Sequence, residues 1–131
     1  MDRYMQIAIQ EARAARGAGD FPYGAVLLRG DEMIATGRNR MNTQNDPTSH
    51  AEVDVLRNAG LQATYTDIVM YASAFPCLMC AGPIVYYGVP ELVVGASWEG
   101  CDESRKFMES HGVKITVLEL EECKELIKEE S

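Results

Sequence analysis

One histidine, one glutamate and two cysteines carry the chemistry open to this chain. His50 and Glu52 stand in "TSHAEVDVL" (48–56), and Cys77 and Cys80 in "PCLMC" (76–80). Thiolates three residues apart on the first turn of a helix converge on one point, and the helix N-terminus favours their ionised form. Two sulfurs and one imidazole nitrogen are three ligands of a tetrahedral zinc ion. The fourth position decides what such an ion does: a structural zinc takes another protein ligand, whereas a catalytic one leaves the place to water. Glu52, beside His50 on a first helical turn, is the carboxylate that could take a proton from that water and pass it on.

Taken singly, each signal has a plainer meaning. A lone histidine at a helix start is a cap or a surface residue, and a lone Cys-x-x-Cys is a structural zinc pair or a redox pair. Together and in this order, each opening a helix after a loop or strand, they favour a catalytic zinc site. Cys101 is the residue that could supply a fourth protein ligand, or else a spare thiol. A zinc-stabilised module without catalysis is therefore the competing class, and it would leave Glu52 without a task.

The elements that must position these residues follow from periodicity. Apolar residues at Met5, Ala8, Ile9, Ala12 and Ala15 predict a helix from Asp2 to about Gly17. "YGAVLLRGDEMIATGRN" holds two short apolar runs around a turn at "RGDE", the pattern of a hairpin. A polar loop, "RMNTQNDPTS", leads into the helix that "TSHAEVDVL" opens, which runs to about Gly60 with Thr48 or Ser49 available as its N-cap. "TDIVMYASA", "ELVVGAS" and "VKITVLEL" read as strands. Between and after them, "CLMCAGPIVYYG", "DESRKFMESHG" and "EECKELIKEE" read as helices, the first interrupted by Pro83. In the last helix Leu120, Cys123, Leu126 and Ile127 form the inward stripe, and His111 before Gly112 is placed to cap a helix end. Strand–helix–strand alternation after a hairpin predicts one three-layer α/β/α domain over residues 1–131, with a five-stranded mixed sheet.

Composition narrows the partners. The 131 residues carry 12 Lys and Arg against 20 Asp and Glu, a formal net charge of −8. Residues 119–131 hold six glutamates and two lysines and contribute −4 of it. Binding long nucleic acid draws on clustered cations that release counterions, and the basic residues here are scattered, so nucleic acid is an unfavoured partner. No apolar run approaches the length of a membrane span, and no secretory leader pattern opens the chain. With four cysteines and a metal-type Cys-x-x-Cys, the expectation is a cytoplasmic protein whose thiols stay reduced.

The order H-x-E followed by P-C-x-x-C is the signature of zinc deaminases. With "GRN" at 37–39, "HAE" at 50–52 and "PCLMCAGPIVYYGVPELVVG" at 76–95, the chain resembles the cytidine deaminase superfamily over nearly its whole length. Within it the sequence is most similar to the fungal-type cytosine deaminases and the bacterial tRNA adenosine deaminases. The resemblance implies His50, Cys77 and Cys80 as zinc ligands and Glu52 as the proton shuttle. It also implies that Asn39 hydrogen-bonds the substrate base and that backbone amides near Ala51 and Cys77 assist. The reaction it implies is hydrolytic loss of ammonia from an amine-bearing ring, in a homodimer whose site lies near the subunit contact.

The base is less legible. The tRNA enzymes usually carry a Lys-Thr-Gly type of segment where this chain has "SWEGCDESRKF", and they need a basic surface. The fungal enzymes close their pocket with an aromatic, acidic C-terminal tail, whereas this sequence ends in "LIKEES". The expected substrate is a free nucleobase, cytosine or a related pyrimidine such as isocytosine, with guanine and a tRNA adenosine as alternatives. Trp98 could stack on the ring and Asp102 or Glu103 accept from its N–H groups. Equally, Trp98 could be packing and the two acids could simply open a helix. Phe21 and Phe75 read as core, and the apolar "PIVYYG" helix reads either as core or as a contact surface.

Overall fold

The computed structural model describes residues 2–130. In chain order it contains α1 (Arg3–Gly17), β1 (Gly24–Arg29), β2 (Glu32–Arg38), α2 (Ala51–Ala59), β3 (Ile68–Ala72), α3 (Leu78–Tyr86), β4 (Glu91–Val94), α4 (Asp102–Ser110), β5 (Lys114–Val117) and α5 (Glu121–Glu130). The sheet order is β2-β1-β3-β4-β5. β1 pairs antiparallel with both β2 and β3, and β3, β4 and β5 run parallel. The mixed five-stranded sheet expected from the alternation of elements is therefore the one observed.

Each face of the sheet buries one layer of helices. α1 and α5 cover one side, where Met5, Ile9 and Ala12 meet Val26, Tyr71, Cys123 and Leu126. α2, α3 and α4 cover the other, where Val55, Ile84 and Met108 meet Leu27, Met70 and Leu92. Burying a side chain of this size stabilises the fold by about 1.5–3 kcal/mol. Leu120 and Ile127 pack against the α1–α5 cluster as the stripe on the last helix predicts.

α2 lies unusually close to β2 because Gly37 has no side chain. A Cβ there would run into the backbone of Val55. The contact matters for function, since it seats the helix that begins beside His50. At its other end α2 stops at Gly60, whose φ of 73° a residue with a side chain adopts only at a cost.

Two local expectations change. The N-cap of α2 is His50, not Thr48 or Ser49. The hydroxyls are committed to the preceding loop: Thr48 Oγ1 donates to Asp46 Oδ1 at 2.7 Å and Ser49 Oγ to Gln44 Oε1 at 3.3 Å. The last strand is shorter than "VKITVLEL", because Glu119 turns the chain with a φ of 53°. His111 does cap α4, its Nδ1 lying 2.9 Å from the Phe107 carbonyl oxygen.

Candidate active site

Both helices that carry the candidate ligands begin without a side-chain cap. His50 is the N-cap of α2 and Cys77 that of α3, each in extended backbone with ψ of 162° and 172°. The first N–H groups of each helix have no partner within it, and the two helix starts lie together, His50 Nδ1 being 3.6 Å from Cys77 Sγ. A residue in cap geometry lies outside the helical spiral. That is why His50 and Glu52, two apart, reach one place when in mid-helix they would diverge.

Each helix start is held by its own hydrogen bonds. The loop before His50 folds back on itself, with Arg40 N–H donating to Ser49 O at 2.9 Å and Asp46 N–H to Met41 O at 3.0 Å. Asp20 secures its outer turn by accepting from the N–H groups of Asn42 and Thr43, each at 2.9 Å, and from Thr43 Oγ1 at 2.8 Å. Before Cys77, the Phe75 carbonyl accepts Trp98 Nε1–H at 2.7 Å and the Pro76 carbonyl accepts Ser104 Oγ–H at 2.7 Å. The buried polar groups on either side of the ligands are thus satisfied, which keeps their geometry rigid.

His50 Nδ1, Cys77 Sγ and Cys80 Sγ form a cluster in which all donor atoms lie within 4.8 Å of one another. The separations are 3.6 Å and 3.4 Å from Nδ1 to the two sulfurs and 3.7 Å between the sulfurs. Zinc bonds of about 2.3 Å to sulfur and about 2.0 Å to nitrogen, meeting at tetrahedral angles, put donors about 3.8 Å (S to S) and about 3.5 Å (S to N) apart. The three groups therefore fit one face of a zinc tetrahedron. Neither Cys101 nor Glu52 joins the cluster; Cys101 is a core thiol at the N-cap of α4, 6% exposed. Three protein donors with a fourth direction open are what a catalytic zinc requires.

Protons in the cluster are unevenly held. Hydrogen bonds from Cys80 and His50 pull the Cys77 thiol down to about 3. Cys80, hydrogen-bonded to that thiolate and buried, is pushed well above the ordinary thiol range. His50 is raised, first by its bond to Cys77 and in smaller part by the Pro47 carbonyl. Burial dominates at Glu52 and pushes its carboxyl up, against the downward pull of a hydrogen bond from Cys80.

A cavity of about 250 Å³ opens over the cluster, lined by Tyr23, His50, Ala51, Glu52, Ala74, Phe75, Cys77 and Trp98. It sits past the carboxyl ends of β3 and β4, the usual position for a ligand on parallel strands. Of the residues singled out from the sequence, it brings together His50, Ala51, Glu52, Cys77 and Trp98. Asn39 is buried, 2% exposed, and stands directly behind the wall: its N–H donates to the Tyr23 carbonyl at 3.0 Å. Asp102 and Glu103 are not brought to the cavity. Both are exposed on the first turn of α4, where carboxylates gain from the helix dipole instead. Phe75, read as core, is both core and wall.

Tyr23 and Ala74 were missed. Tyr23 lies one step beyond the Gly24–Arg38 pair of the hairpin, directly across from Asn39. A substrate-binding assignment for one strand end therefore pointed to its neighbour. Ala74 belongs to the segment between β3 and Cys77, which must line any site built at that strand end.

A family model described as the cytidine and deoxycytidylate deaminase zinc-binding region matches residues 1–96. A tRNA-specific adenosine deaminase of Buchnera aphidicola is 38% identical over 99 residues, 73% of this chain and 66% of that enzyme, just under two thirds of its length. A cytosine deaminase of Candida albicans is 29% identical over 94% of this chain and 83% of its own. A solved structure from a study of A-to-I editing by tRNA:A34 deaminases at the wobble position of transfer RNA superposes with a TM-score of 0.85. It is 30% identical and covers 94% of this chain and 97% of that one.

Proposed function

The chain belongs to the cytidine and deoxycytidylate deaminase zinc-binding family, whose members are zinc-dependent hydrolytic deaminases, and we propose that it deaminates a free nucleobase, cytosine or a related pyrimidine. The observation that carries the reaction type is the three-donor cluster with Glu52 beside it at the floor of a cavity with aromatic walls. We assign His50, Cys77 and Cys80 as the zinc ligands. Zinc held there supplies Lewis acidity, which lets water ionise near neutral pH. Glu52 takes one proton of the attacking water and gives it to the ring nitrogen beside the amine-bearing carbon. It then takes the remaining proton from the hydroxyl added to that carbon and delivers it to the departing amine, leaving a carbonyl and ammonia. Its burial keeps it a willing proton acceptor.

Asn39 Oδ1 already accepts Met41 N–H at 3.0 Å. The proposed contribution of its amide is therefore donation from Nδ2 to an acceptor on the base. Trp98, held by its bond to the Phe75 carbonyl, and Tyr23 supply flat surface for the ring. The N–H groups of Ala51 and the first turn of α3 add positive potential around the reacting carbon.

Charge supports a free base over a nucleic acid. Arg13, Arg16, Arg29, Arg40, Arg57 and Arg105 are all ion-paired within the chain, on a protein of net charge −8. A second reading, editing of an adenosine in tRNA, is favoured by the 38% identity to a tRNA-specific enzyme and the 0.85 TM-score. Ammonia release by the purified zinc protein decides between them, measured on cytosine, isocytosine, guanine, adenine, their nucleosides and tRNA. Release from one free pyrimidine is expected. Inosine formed in tRNA with every free base untouched would overturn the proposal.

We further propose one deaminase domain over residues 1–131, acting in the cytoplasm as a homodimer. Four free cysteines fit a reducing compartment, where disulfides are rare. Among the described residues no helix is long and apolar enough to cross a membrane. The contact surface is supported by α3: Ile84 enters the core, but Leu78, Met79, Tyr86 and Tyr87 are exposed, Tyr86 by 82%. A groove between α2 and α3, lined by Val53, Leu56, Leu61, Tyr65, Pro83 and Tyr87, continues that surface. Sedimentation should show a dimer that Tyr86→Glu weakens; a wild-type monomer at micromolar concentration would sink the assignment.

A further inference from the structure

Asp54 is a carboxylate that the chemistry so far leaves unused. It follows Glu52 by two residues on α2, is 2% exposed, and does not line the cavity. Burying a carboxylate is costly unless it is well partnered. Its partners are informative. Asp54 Oδ2 accepts the backbone N–H of Arg38 at 3.0 Å, and Arg40 Nε–H reaches both carboxylate oxygens at 3.2 and 3.1 Å. Asn58 Nδ2–H donates at 3.3 Å, and the Arg57 guanidinium lies 3.6 Å away. The two residues it grips most closely are those on either side of Asn39.

We propose that Asp54 is a positioning residue for substrate recognition: it locks the Arg38–Arg40 segment to α2 and so sets the amide of Asn39 relative to Glu52. Four successive N–H groups are accounted for along this stretch. Arg38 donates to Asp54, Asn39 to the Tyr23 carbonyl, Arg40 to the Ser49 carbonyl and Met41 to Asn39 Oδ1. Three of these partners belong to the hairpin or to the loop that ends at His50. Asp54 adds the side-chain tie from this segment to α2, beside the Asn58 Nδ2–H bond to the Thr36 carbonyl at 2.9 Å and the Gly37–Val55 contact that hold β2 to the helix. Its own N–H donates to the His50 carbonyl at 2.8 Å, on the same turn as Glu52. The carboxylate thereby makes base-binding and proton-transfer groups parts of one rigid body. Errors of about 1 Å in such an arrangement cost about 100-fold in rate.

The inference rests on Asn39 contacting the base, so its test includes one readout that needs no substrate. In zinc-loaded protein the side-chain N–H pair of Asn39 is assigned by its loss in Asn39→Ala, using ¹⁵N-resolved NMR. Asp54→Asn, which keeps the shape but adds donors that Arg38 and Arg40 cannot accept, should shift that pair with zinc content unchanged. On the base that the substrate panel identifies, Asp54→Asn should lower kcat/KM by about 10- to 100-fold, but by less than about threefold in an Asn39→Ala background. A merely structural role would cost the same in both backgrounds. If Asp54→Asn does not fold, Arg40→Gln, which removes one side of the grip, carries the same comparison. An Asn39 signal unmoved in the folded variant overturns the inference, and so do losses that multiply in full. If no base is turned over, the NMR comparison still decides.

Discussion

Glu52→Gln, purified with a full complement of zinc, is expected to lose about 10²–10⁴-fold in kcat while remaining folded. The substitution keeps the shape of the side chain and removes its capacity to take and return a proton. Zinc should stay, because the carboxylate is not one of the three clustered donors. Stability should hold or rise. Glu52 is 7% exposed and burial pushes its carboxyl up, so a neutral amide relieves a desolvation cost that the wild type carries for function. Activity and zinc content measured on one preparation, with a thermal melt alongside, give a clear reading. A variant that keeps more than about a tenth of the wild-type rate would leave Glu52 without the assigned role. The weight would then move to a structural zinc module.

Removing the metal should have the second large effect, and on two observables together. Chelation is expected to abolish deamination and to lower Tm by about 10 °C, both restored by one equivalent of zinc. A ligand present at about 100 times its Kd stabilises the folded state by about 2.7 kcal/mol, and a chain of this size shifts by roughly 3–5 °C per kcal/mol. The apo protein must hold two sulfurs and an imidazole 3.4–3.7 Å apart with only shared protons between them. Cys80→Ser should behave as the chelated protein does, since Cys80 is 1% exposed and its sulfur is the cluster's innermost donor. Retained activity after zinc falls below one atom per ten chains would contradict a zinc-dependent reaction. An unchanged Tm with activity lost would mean that the site is built by the fold without help from the ion.

What could be read from the order of residues was the part that short-range geometry decides. His50, Glu52, Cys77 and Cys80 occupy the first turns of two helices. Spacing pairs Cys77 with Cys80 and His50 with Glu52 once each helix start is recognised, while the combination of types suggests one shared ion. The layers were legible for a similar reason. Met5, Ala8, Ile9, Ala12 and Ala15 repeat at helical intervals and all are buried, and the hairpin announces itself by its turn. Where local rules compete, the sequence misled. Thr48 and Ser49 are better caps than histidine by type, yet Asp46 and Gln44 claim their hydroxyls. Asp102 and Glu103 have the right chemistry for a base, but their place on a helix start leaves them in water.

The walls of the cavity belong to the tertiary structure alone. Tyr23, Phe75 and Trp98 come from three separate stretches, and nothing in any one of them says that the hairpin end, the β3–α3 connection and the segment after β4 meet. Asp54 is the sharpest case. In sequence it is one more acid on a helix that already carries Glu52, and nothing there singles it out. In the fold it is buried against Arg38 and Arg40, because Gly37 lets α2 settle onto β2. The sequence by itself pointed to the ion through residue types at two helix starts, and to the reaction through the resemblance those motifs carry. The shape of the cavity, and what holds Asn39 in register with Glu52, was decided by contacts between distant segments, whose energies appear only once the sheet and its helices have packed.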